Sequence, residues 1–186
     1  LRDLPPWNHE LARYGTIVGD ARRLYIERLE PFFSDMGARF FSGQRFELRL
    51  QPGWDTSKSL ATVLEEDTPT DLRQCHTQAG PHRGDFSITL DGRPVKAYLS
   101  RGQTKLLVYA LLLAQSRLME ERAGAAGCML IDDVASELDE GNRKALLQVL
   151  GEGRTQYFIT ATGRSSIEEG LDDSAAVFQV DQGRIT

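Results

Sequence analysis

Apolar residues recur every three or four positions along residues 7–25 and, after a break at Arg28, again at Phe32, a spacing typical of an amphipathic helix. Pro5 and Pro6 stand just before this stretch, and because proline fits the first turn of a helix, a long helix is predicted to begin there. Gly15 and Gly19 weaken its continuity. The helix either packs on its own domain or forms one leg of an antiparallel coiled-coil arm. The apolar positions are Trp7, Leu11, Tyr14, Val18, Ala21, Tyr25 and Phe32.

A strand, two short helices and a hairpin are predicted next. Residues 45–54 alternate in hydropathy, as a half-exposed strand does. Helical patterns occupy 57–66 and 69–78, the second with a proline near its start. The dipeptide Asp91-Gly92 lies between two apolar runs and indicates a tight β-hairpin.

The second half of the chain alternates between helical and strand patterns. Helix, strand, helix, strand in this order predicts an α/β fold with a mostly parallel sheet. A last pair of short strands flanks a turn and is predicted to form a hairpin. The elements are helices at 103–122 and 140–150, strands at 128–132 and 156–160, and the hairpin around Asp181-Gln182-Gly183.

Composition and charge exclude some classes of protein. The 186 residues are 40% apolar and 26% charged, enough to bury a core. A net charge of −5 argues against a surface coated with positive charge, although not against a local basic patch. Cys75 and Cys128 do not make a disulfide framework, so a reducing compartment, the cytoplasm, is expected, with Cys128 in the core.

The termini carry two further indications. No signal peptide or membrane span is visible in the sequence. The chain starts at Leu1 in the middle of a pattern, so we expect it to be part of a longer protein.

The apolar run at 128–131 ends on two adjacent carboxylates, Asp132 and Asp133. Such a pair at the edge of a core suffers mutual repulsion and loss of hydration, which a cation relieves. Ligands of open α/β sheets gather at the carboxyl ends of strands. Mg²⁺ with nucleotide phosphates is therefore the most economical use, with Asp132 on the metal and Asp133 orienting or deprotonating a water. The alternative is a carboxylate pair that caps the next helix.

Three more segments carry candidate chemistry. In LSRGQTK, 99–105, the hydroxyl of Ser100 and a helix N-terminus favour a phosphate site, with Arg101 and Lys105 adding charge. The alternative there is a simple N-cap. In SELD, 136–139, Asp139 is expected to cap the next helix. In ITAT, 159–162, hydroxyls at a strand end are candidates to face a γ-phosphate.

The order and spacing of these segments resemble the C-terminal lobe of an ABC-type ATPase head. Within that superfamily, the chain is similar to bacterial RecF recombination mediators. The resemblance implies an α/β fold with a helical, coiled-coil arm segment at 1–42 and the C-terminal lobe of the head at 43–186. It rests on GPHRGDF, the Asp-Gly hairpin, LSRGQTKLLVYALLLAQ, LIDDVASELD and the closing V-x-x-G-x-I-T.

The resemblance also assigns site residues. In such heads, LSRGQ corresponds to the signature motif, LIDD to the Walker B strand and SELD to the D-loop. Many relatives carry Glu where this chain has Asp133, whereas the RecF family uses Asp, which favours RecF over SMC proteins. The assigned residues are Asp132 for the metal, Asp133 for catalysis, Ser100, Arg101, Gly102 and Gln103 for nucleotide contact across a dimer, and Ser136 and Asp139 for the D-loop.

ATP and Mg²⁺ are the implied cofactors, and an ATP-dependent homodimer is the implied assembly. The family role implied is DNA repair and replication, including the SOS response to DNA damage. It involves binding of single-stranded DNA and gapped duplex, with RecR- and RecO-type mediators, to load RecA. The parent protein is expected to be a weak DNA-dependent ATPase.

The phosphate-binding loop G-x-x-x-x-G-K-[ST] does not occur in the sequence, and RGQTK has its residues in the wrong order. In this family that loop lies in an N-terminal lobe, so we expect it upstream of Leu1. The chain is then expected to carry half of an ATP site and a signature surface for a partner. By itself it is not expected to hydrolyse ATP.

Other interpretations stay open at this point. A two-metal nuclease would use Asp132, Asp133, Glu137 and Asp139, although none of the three histidines is near them in sequence. A non-catalytic scaffold lobe is the second alternative. His82-Arg83, after a Gly-Pro turn, either contacts a phosphate or interface or is structural. A set of arginines either faces DNA or forms a solvated face: Arg22, Arg23, Arg28, Arg39, Arg45 and Arg49.

Overall fold

The computed structural model describes residues 4–124, 127–134, 138–164, 167, 170–171 and 175–186. Packing divides the chain into two compact units, and each is described by itself. Unit 1 comprises Leu1–Ala38 and Gln44–Ala97, and unit 2 comprises Arg39–Gly43 and Tyr98–Thr186. The predicted division into an arm at 1–42 and a lobe at 43–186 names parts of a family rather than packed units, and it stays a prediction.

The first helix, α1, spans Leu4–Phe40 and confirms the long helix predicted from the apolar spacing. It runs unbroken through both glycines, and at each of them a neighbouring side chain packs closely against the helix backbone. A Cβ at Gly15 would lie 2.6 Å from Leu60 Cδ2, and a Cβ at Gly19 would lie 2.5 Å from Trp54 Cη2. Packing at these close approaches offsets the low helix propensity of glycine.

The faces of α1 differ in burial. On one face, Phe33 is fully buried and its ring lies edge-on to that of Phe46, with the centroids 6.4 Å apart. Several residues of the predicted apolar seam are exposed instead, and Trp7 is 72% exposed. The helix therefore packs on its own unit through one face, while several residues of the seam that suggested a coiled-coil arm are exposed and Leu11 packs against the core. The exposed seam residues include Trp7, Tyr14, Val18 and Tyr25.

Unit 1 contains a three-stranded antiparallel sheet in the order β1-β2-β3. Strand β1 spans Phe46–Gln51, β2 spans Asp85–Leu90 and β3 spans Arg93–Pro94. The connection between β2 and β3 has positive φ at both central residues, 50° at Asp91 and 76° at Gly92. This is the backbone of a type I′ turn, and it confirms the predicted hairpin.

A single helix, α2, spans Leu60–Gln74, where two helices were predicted. The prediction of a break was wrong because Pro69 is accommodated inside the helix. Its missing N–H leaves the carbonyl of Glu65 without a helical partner, but Glu65 lies on the exposed side where water can bind it. The opposite side of α2 is fixed by an apolar core. That core consists of Ala12, Leu60, Val63, Leu64 and Ala79.

Unit 2 confirms the α/β class, since a parallel strand pair is connected through a helix. Its Cα register places Ile131 opposite Ile159. The described elements are α3 (Arg101–Ala123), β4 (Cys128–Ile131), α4 (Glu140–Leu150), β5 (Gln156–Ile159), β6 (Val180–Asp181) and β7 (Arg184–Ile185). The last two form the predicted hairpin.

For this half of the chain one expectation is confirmed and one was wrong. The predicted parallel pairing is seen in β4 and β5, while β6 and β7 pair antiparallel in the predicted hairpin. Cys128 was expected in the core and is exposed. Side chains alternate along a strand, and in β4 it is Ile131 that is buried, whereas Cys128 and Leu130 face outward.

Within the described part of the chain, no helix combines the length and the apolar character needed to cross a bilayer.

A polar cluster joins the C-terminal half of α3 to the start of β5. Glu120 Oε1 accepts hydrogen bonds from the backbone N–H of Thr155 at 2.8 Å and from its hydroxyl at 2.5 Å. Arg117 Nη1 lies 3.7 Å from Glu120 Oε2. Burial acts to raise the pKa of the Glu120 carboxyl, but the bonds from Thr155 and the charge of Arg117 outweigh it. The pKa therefore lies below its ordinary value.

We expect Glu120→Ala to lower the free energy of unfolding by about 1–3 kcal/mol, because Thr155 is buried and both of its donors would lose their acceptor. Glu120→Gln keeps an acceptor oxygen and should cost less.

A lowered pKa stabilises the fold above the unfolded-state value of about 4.3, and this contribution is lost as the pH falls through the folded-state value. The difference in free energy of unfolding between the wild type and Glu120→Gln, measured by urea unfolding, should therefore shrink in acid. A difference that does not change with pH would contradict this prediction.

Candidate functional site

The carboxyl ends of β4 and β5 are joined by backbone hydrogen bonds. Thr160, the first residue after β5, donates its N–H to the carbonyl of Ile131 at 2.9 Å. Its own carbonyl accepts the N–H of Val134 at 3.1 Å. Val134 is fully buried. The segment that follows β4 is therefore held against the end of β5, which brings Asp132 and Asp133 to Thr160.

The side chain of Thr160 connects the two aspartates. Its Oγ1 donates to Asp132 Oδ1 at 2.5 Å and accepts the backbone N–H of Asp133 at 2.8 Å. A hydroxyl has one donor and two acceptor positions, so both bonds form at once. Thr160 therefore fixes the carboxylate of Asp132 and the backbone of Asp133 together.

Asp133 adopts an uncommon backbone conformation. Its φ is 45°, in the left-handed region that residues with a Cβ seldom occupy and that Asp tolerates better than most. This turns the chain sharply out of the direction of β4 between Asp132 and the buried Val134. Strained backbone that the surrounding structure holds in place is often found at functional sites.

The arrangement fits a magnesium ion that is held mainly by phosphates. Asp132 is exposed at the strand end, and its carboxylate is oriented by a neutral hydroxyl. Mg²⁺ is commonly bound through one or two carboxylates together with nucleotide phosphates and water. The described residues contain no group of three or more His, Cys, Asp or Glu that could hold a metal ion alone. An exposed, oriented carboxylate such as that of Asp132 therefore fits a site at which nucleotide phosphates and water supply the other ligands.

The predicted signature loop forms the N-terminus of α3. Ser100 Oγ accepts the N–H of Gln103 at 3.2 Å, and Gln103 Oε1 accepts the N–H of Ser100 at 2.9 Å, which is a capping box. The cap expected as the alternative is thus present. It uses the hydroxyl of Ser100 as an acceptor and leaves its donor position for an anion. Ser100 and Arg101 are exposed and Gly102 is half-buried.

The predicted D-loop is described only in part. Ser136 lies outside the described residues, as does Glu137 of the nuclease alternative. Asp139 caps α4, with Oδ1 accepting the N–H of Asn142 and Oδ2 accepting its side-chain amide, each at 2.8 Å. Both carboxylate oxygens of Asp139 are therefore engaged locally, which disfavours the nuclease set.

The structure thus arranges the predicted site residues in separate groups. Asp132 and Asp133 belong to the strand-end cluster, Ser100 and Gln103 to the capping box on α3, and Asp139 to the cap of α4. Thr160 was not among the assigned residues. The ITAT segment had pointed to strand-end hydroxyls, but as contacts of a phosphate. The signal that identifies Thr160 is its position after a parallel strand next to the one ending in Asp132.

Comparison with known proteins agrees with these features. The family described as RecF/RecN/SMC N terminal domain matches residues 21–186. The DNA replication and repair protein RecF of Pseudomonas syringae pv. tomato is 38% identical over 182 residues, 97% of this chain and 50% of that protein. The protein of the same name from Cronobacter sakazakii is 38% identical over 183 residues, 98% of this chain and 51% of that protein. The chain spans about half the length of the curated relatives it matches.

Solved structures share the fold. The structure of the recombination mediator protein RecF-ATPrS in RecFOR pathway matches with a TM-score of 0.76 and 26% identity, over 98% of this chain and 49% of that chain. A structure from work on ATP-driven dimerization and DNA stimulated activation of SMC ATPases matches with a TM-score of 0.57 and 16% identity, over 90% of this chain and 86% of that chain. This likeness shows the fold alone. The resemblance inferred from the motifs is thereby confirmed, and the chain belongs to the RecF/RecN/SMC N-terminal domain family as a RecF-like ATPase head region.

Proposed function

We propose that this chain provides the Walker B strand and the signature loop of a Mg²⁺–ATP site in a DNA repair protein. The observation that carries the proposal is the Thr160 hydroxyl, which orients Asp132 and holds the turn at Asp133. A site whose acidic residue is oriented in advance needs little rearrangement when nucleotide binds. The matched solved structure, which is described as RecF-ATPrS, supports the choice of nucleotide.

Each residue has a separate role in this proposal. Asp132 holds Mg²⁺, which when bound neutralises charge on the nucleotide phosphates. Asp133 is assigned to orient and deprotonate the attacking water, because its half-buried carboxylate directly follows the proposed metal ligand in the chain. The proposed site also needs a phosphate-binding loop, whose motif does not occur in these 186 residues.

The signature residues act across a dimer. The N-terminus of the 23-residue helix α3 favours an anion through its backbone N–H groups and the helix dipole. The signature residues there are Ser100, Arg101, Gly102 and Gln103. We assign them to the γ-phosphate of ATP bound by a second copy, with Ser136 and Asp139 as the D-loop beside it. The capping box, which leaves the donor position of the Ser100 hydroxyl open to an anion, supports this assignment.

DNA is the substrate on which the assembly acts. The curated relatives are named for DNA replication and repair, and a solved structure of one is described as a recombination mediator in the RecFOR pathway. We therefore propose binding to single-stranded and gapped duplex DNA, cooperation with RecR- and RecO-type mediators, and promotion of RecA loading in the cytoplasm. Turnover of ATP is weak and DNA-dependent in this proposal.

The role of Thr160 is testable in a head that joins this chain to a phosphate-binding loop. Thr160→Val removes the hydroxyl but keeps the shape of the side chain. It should raise the Mg²⁺ concentration needed for ATP binding by about 10- to 100-fold, as loss of a residue that orients a metal ligand does. Thr160→Ser keeps the hydroxyl and is the matched control. Titration calorimetry at several Mg²⁺ concentrations measures both. If the valine variant kept wild-type Mg²⁺ dependence, the assigned site would be wrong.

A further inference from the structure

Two loops of unit 1 meet through glycines. Gly80 donates its N–H to the carbonyl of Gly53 at 3.0 Å, and Gly84 donates to the carbonyl of Pro81 at 3.1 Å. Gly53 has a φ of 92°, and a Cβ on it would lie 2.5 Å from the backbone nitrogen of Gly84. No side chain fits there. The turn at 80–84 is therefore held in one conformation by the loop that follows β1.

Three basic side chains at this turn contact main-chain carbonyls. Arg22 reaches across from α1 and its Nη1 donates to the carbonyl of Pro81 at 2.5 Å. Arg83 Nε donates to the carbonyl of Thr77 at 3.1 Å, and His82 Nε2 lies 3.2 Å from the same oxygen. Each basic group is thus anchored at one atom while the rest of its side chain is exposed. We name Arg22, His82 and Arg83 the basic turn.

The charge of the basic turn is not neutralised. Over the described ranges, neither Arg22 nor Arg83 has a carboxylate at ion-pair distance. Their neighbour Arg23 differs, because it pairs with Glu27 at 3.0 Å and with Asp20 at 3.5 Å. A carbonyl takes up one of the five N–H donors of a guanidinium and leaves its full positive charge. Two oriented guanidinium groups beside a histidine form a site for an anion.

We propose that the basic turn binds backbone phosphates of DNA. This inference rests on the proposed function, whose DNA contacts it assigns to particular residues. Arginine binds phosphate oxygens through paired N–H groups, and a guanidinium already held in place loses less side-chain entropy on binding. The turn is an exposed surface feature, which suits a phosphate of a long polyanion. Because the net charge is −5, DNA needs a local positive patch in order to approach, and the basic turn provides one.

The test measures binding of a fluorescent gapped duplex to the 186-residue chain by anisotropy over a range of salt concentrations. The test variant is Arg22→Gln with Arg83→Gln. The matched control is Arg23→Gln, which makes the same charge change one residue along the same helix but at an ion-paired arginine. Each phosphate contact contributes about one to the slope of log affinity against log salt. In the double variant the magnitude of that slope should fall by about two, whereas the control should keep the wild-type slope.

A second variant separates charge from folding. Arg22→Lys with Arg83→Lys keeps both charges, so it should retain most of the salt slope, and thermal unfolding of every variant checks the fold. Equal slopes for the wild type and the glutamine pair, or an equal loss in Arg23→Gln, would overturn the inference alone and leave DNA binding in place. Failure of the unaltered chain to bind the duplex at any salt concentration would overturn the inference together with the DNA-binding part of the proposed function.

Discussion

Asp133→Asn is expected to leave ATP binding unchanged and to slow hydrolysis by about 10²- to 10⁴-fold, the usual contribution of a positioned general base. The setting is a head that joins this chain to a phosphate-binding loop. The backbone N–H of Asp133 bonds to Thr160 Oγ1 at 2.8 Å, and this contact does not involve the side chain that is changed. The turn and the orientation of Asp132 should therefore survive, while the acceptor for the proton of the water is lost.

Asp132→Ala should impair the binding of ATP and not only its hydrolysis. It removes the proposed metal ligand and the acceptor of the Thr160 hydroxyl, so Mg²⁺-dependent binding of ATP itself should be lost. Equilibrium binding and single-turnover hydrolysis, measured on both variants, separate the two roles. Asp181→Asn removes a carboxylate in the exposed hairpin of β6 and β7 and serves as the control. Equal loss of ATP binding in Asp132→Ala and Asp133→Asn would contradict the assigned roles.

Ser100→Arg is expected to abolish the ATP-dependent dimer while the head still folds and binds ATP. In the proposed assembly, the N-terminus of α3 faces the γ-phosphate held by a second copy, and a long cation there blocks its approach. If the loop did no more than cap the helix, the change would cost about 0.5–2 kcal/mol of stability and leave dimerisation intact. Sedimentation with and without ATP measures the difference, and a normal ATP-dependent dimer would refute the shared site.

The chain offers a matched control for that experiment. Ser59 caps α2 in the same way, since its side chain accepts the N–H of Thr62 at 3.1 Å. Ser59→Arg therefore removes a helix cap of the same kind from a helix with no assigned nucleotide contact. It should reduce stability by a similar amount and keep the dimer. Loss of the dimer in both variants would point to destabilised folding and not to the signature surface.

Mixing two variants tests whether the site is shared. A dimer of a Ser100→Arg subunit with a subunit whose phosphate-binding loop is disabled contains two different composite sites. One site combines the intact phosphate-binding loop of the first subunit with the intact Ser100 of the second, and the other site combines both defects. Mixing should therefore restore part of the ATP-dependent dimer and of the hydrolysis. No recovery in any mixture, with both variants folded, would count against a composite site.

Local sequence was sufficient wherever the deciding interactions lie within a few residues. The cap at Ser100 is made by Gln103, and the turn of the β2–β3 hairpin needs only the positive φ that Asp91 and Gly92 tolerate. Both were predicted from the sequence. The motif spacing from LSRGQ to SELD also led to the RecF-like family, because such motifs are short and contiguous. Ser136 of that motif remains a prediction outside the described residues.

The sequence by itself determined the caps at Ser100 and Asp139, the two hairpins, the strand that precedes Asp132 and Asp133, and the family. The tertiary structure decided where distant parts of the chain meet. It kept α2 intact through Pro69, turned Cys128 to the exposed face of β4, and set Thr160 beside Asp132 across 28 positions of sequence. The physical reason is that a cap depends on adjacent backbone, whereas strand pairing and burial depend on residues far apart in sequence.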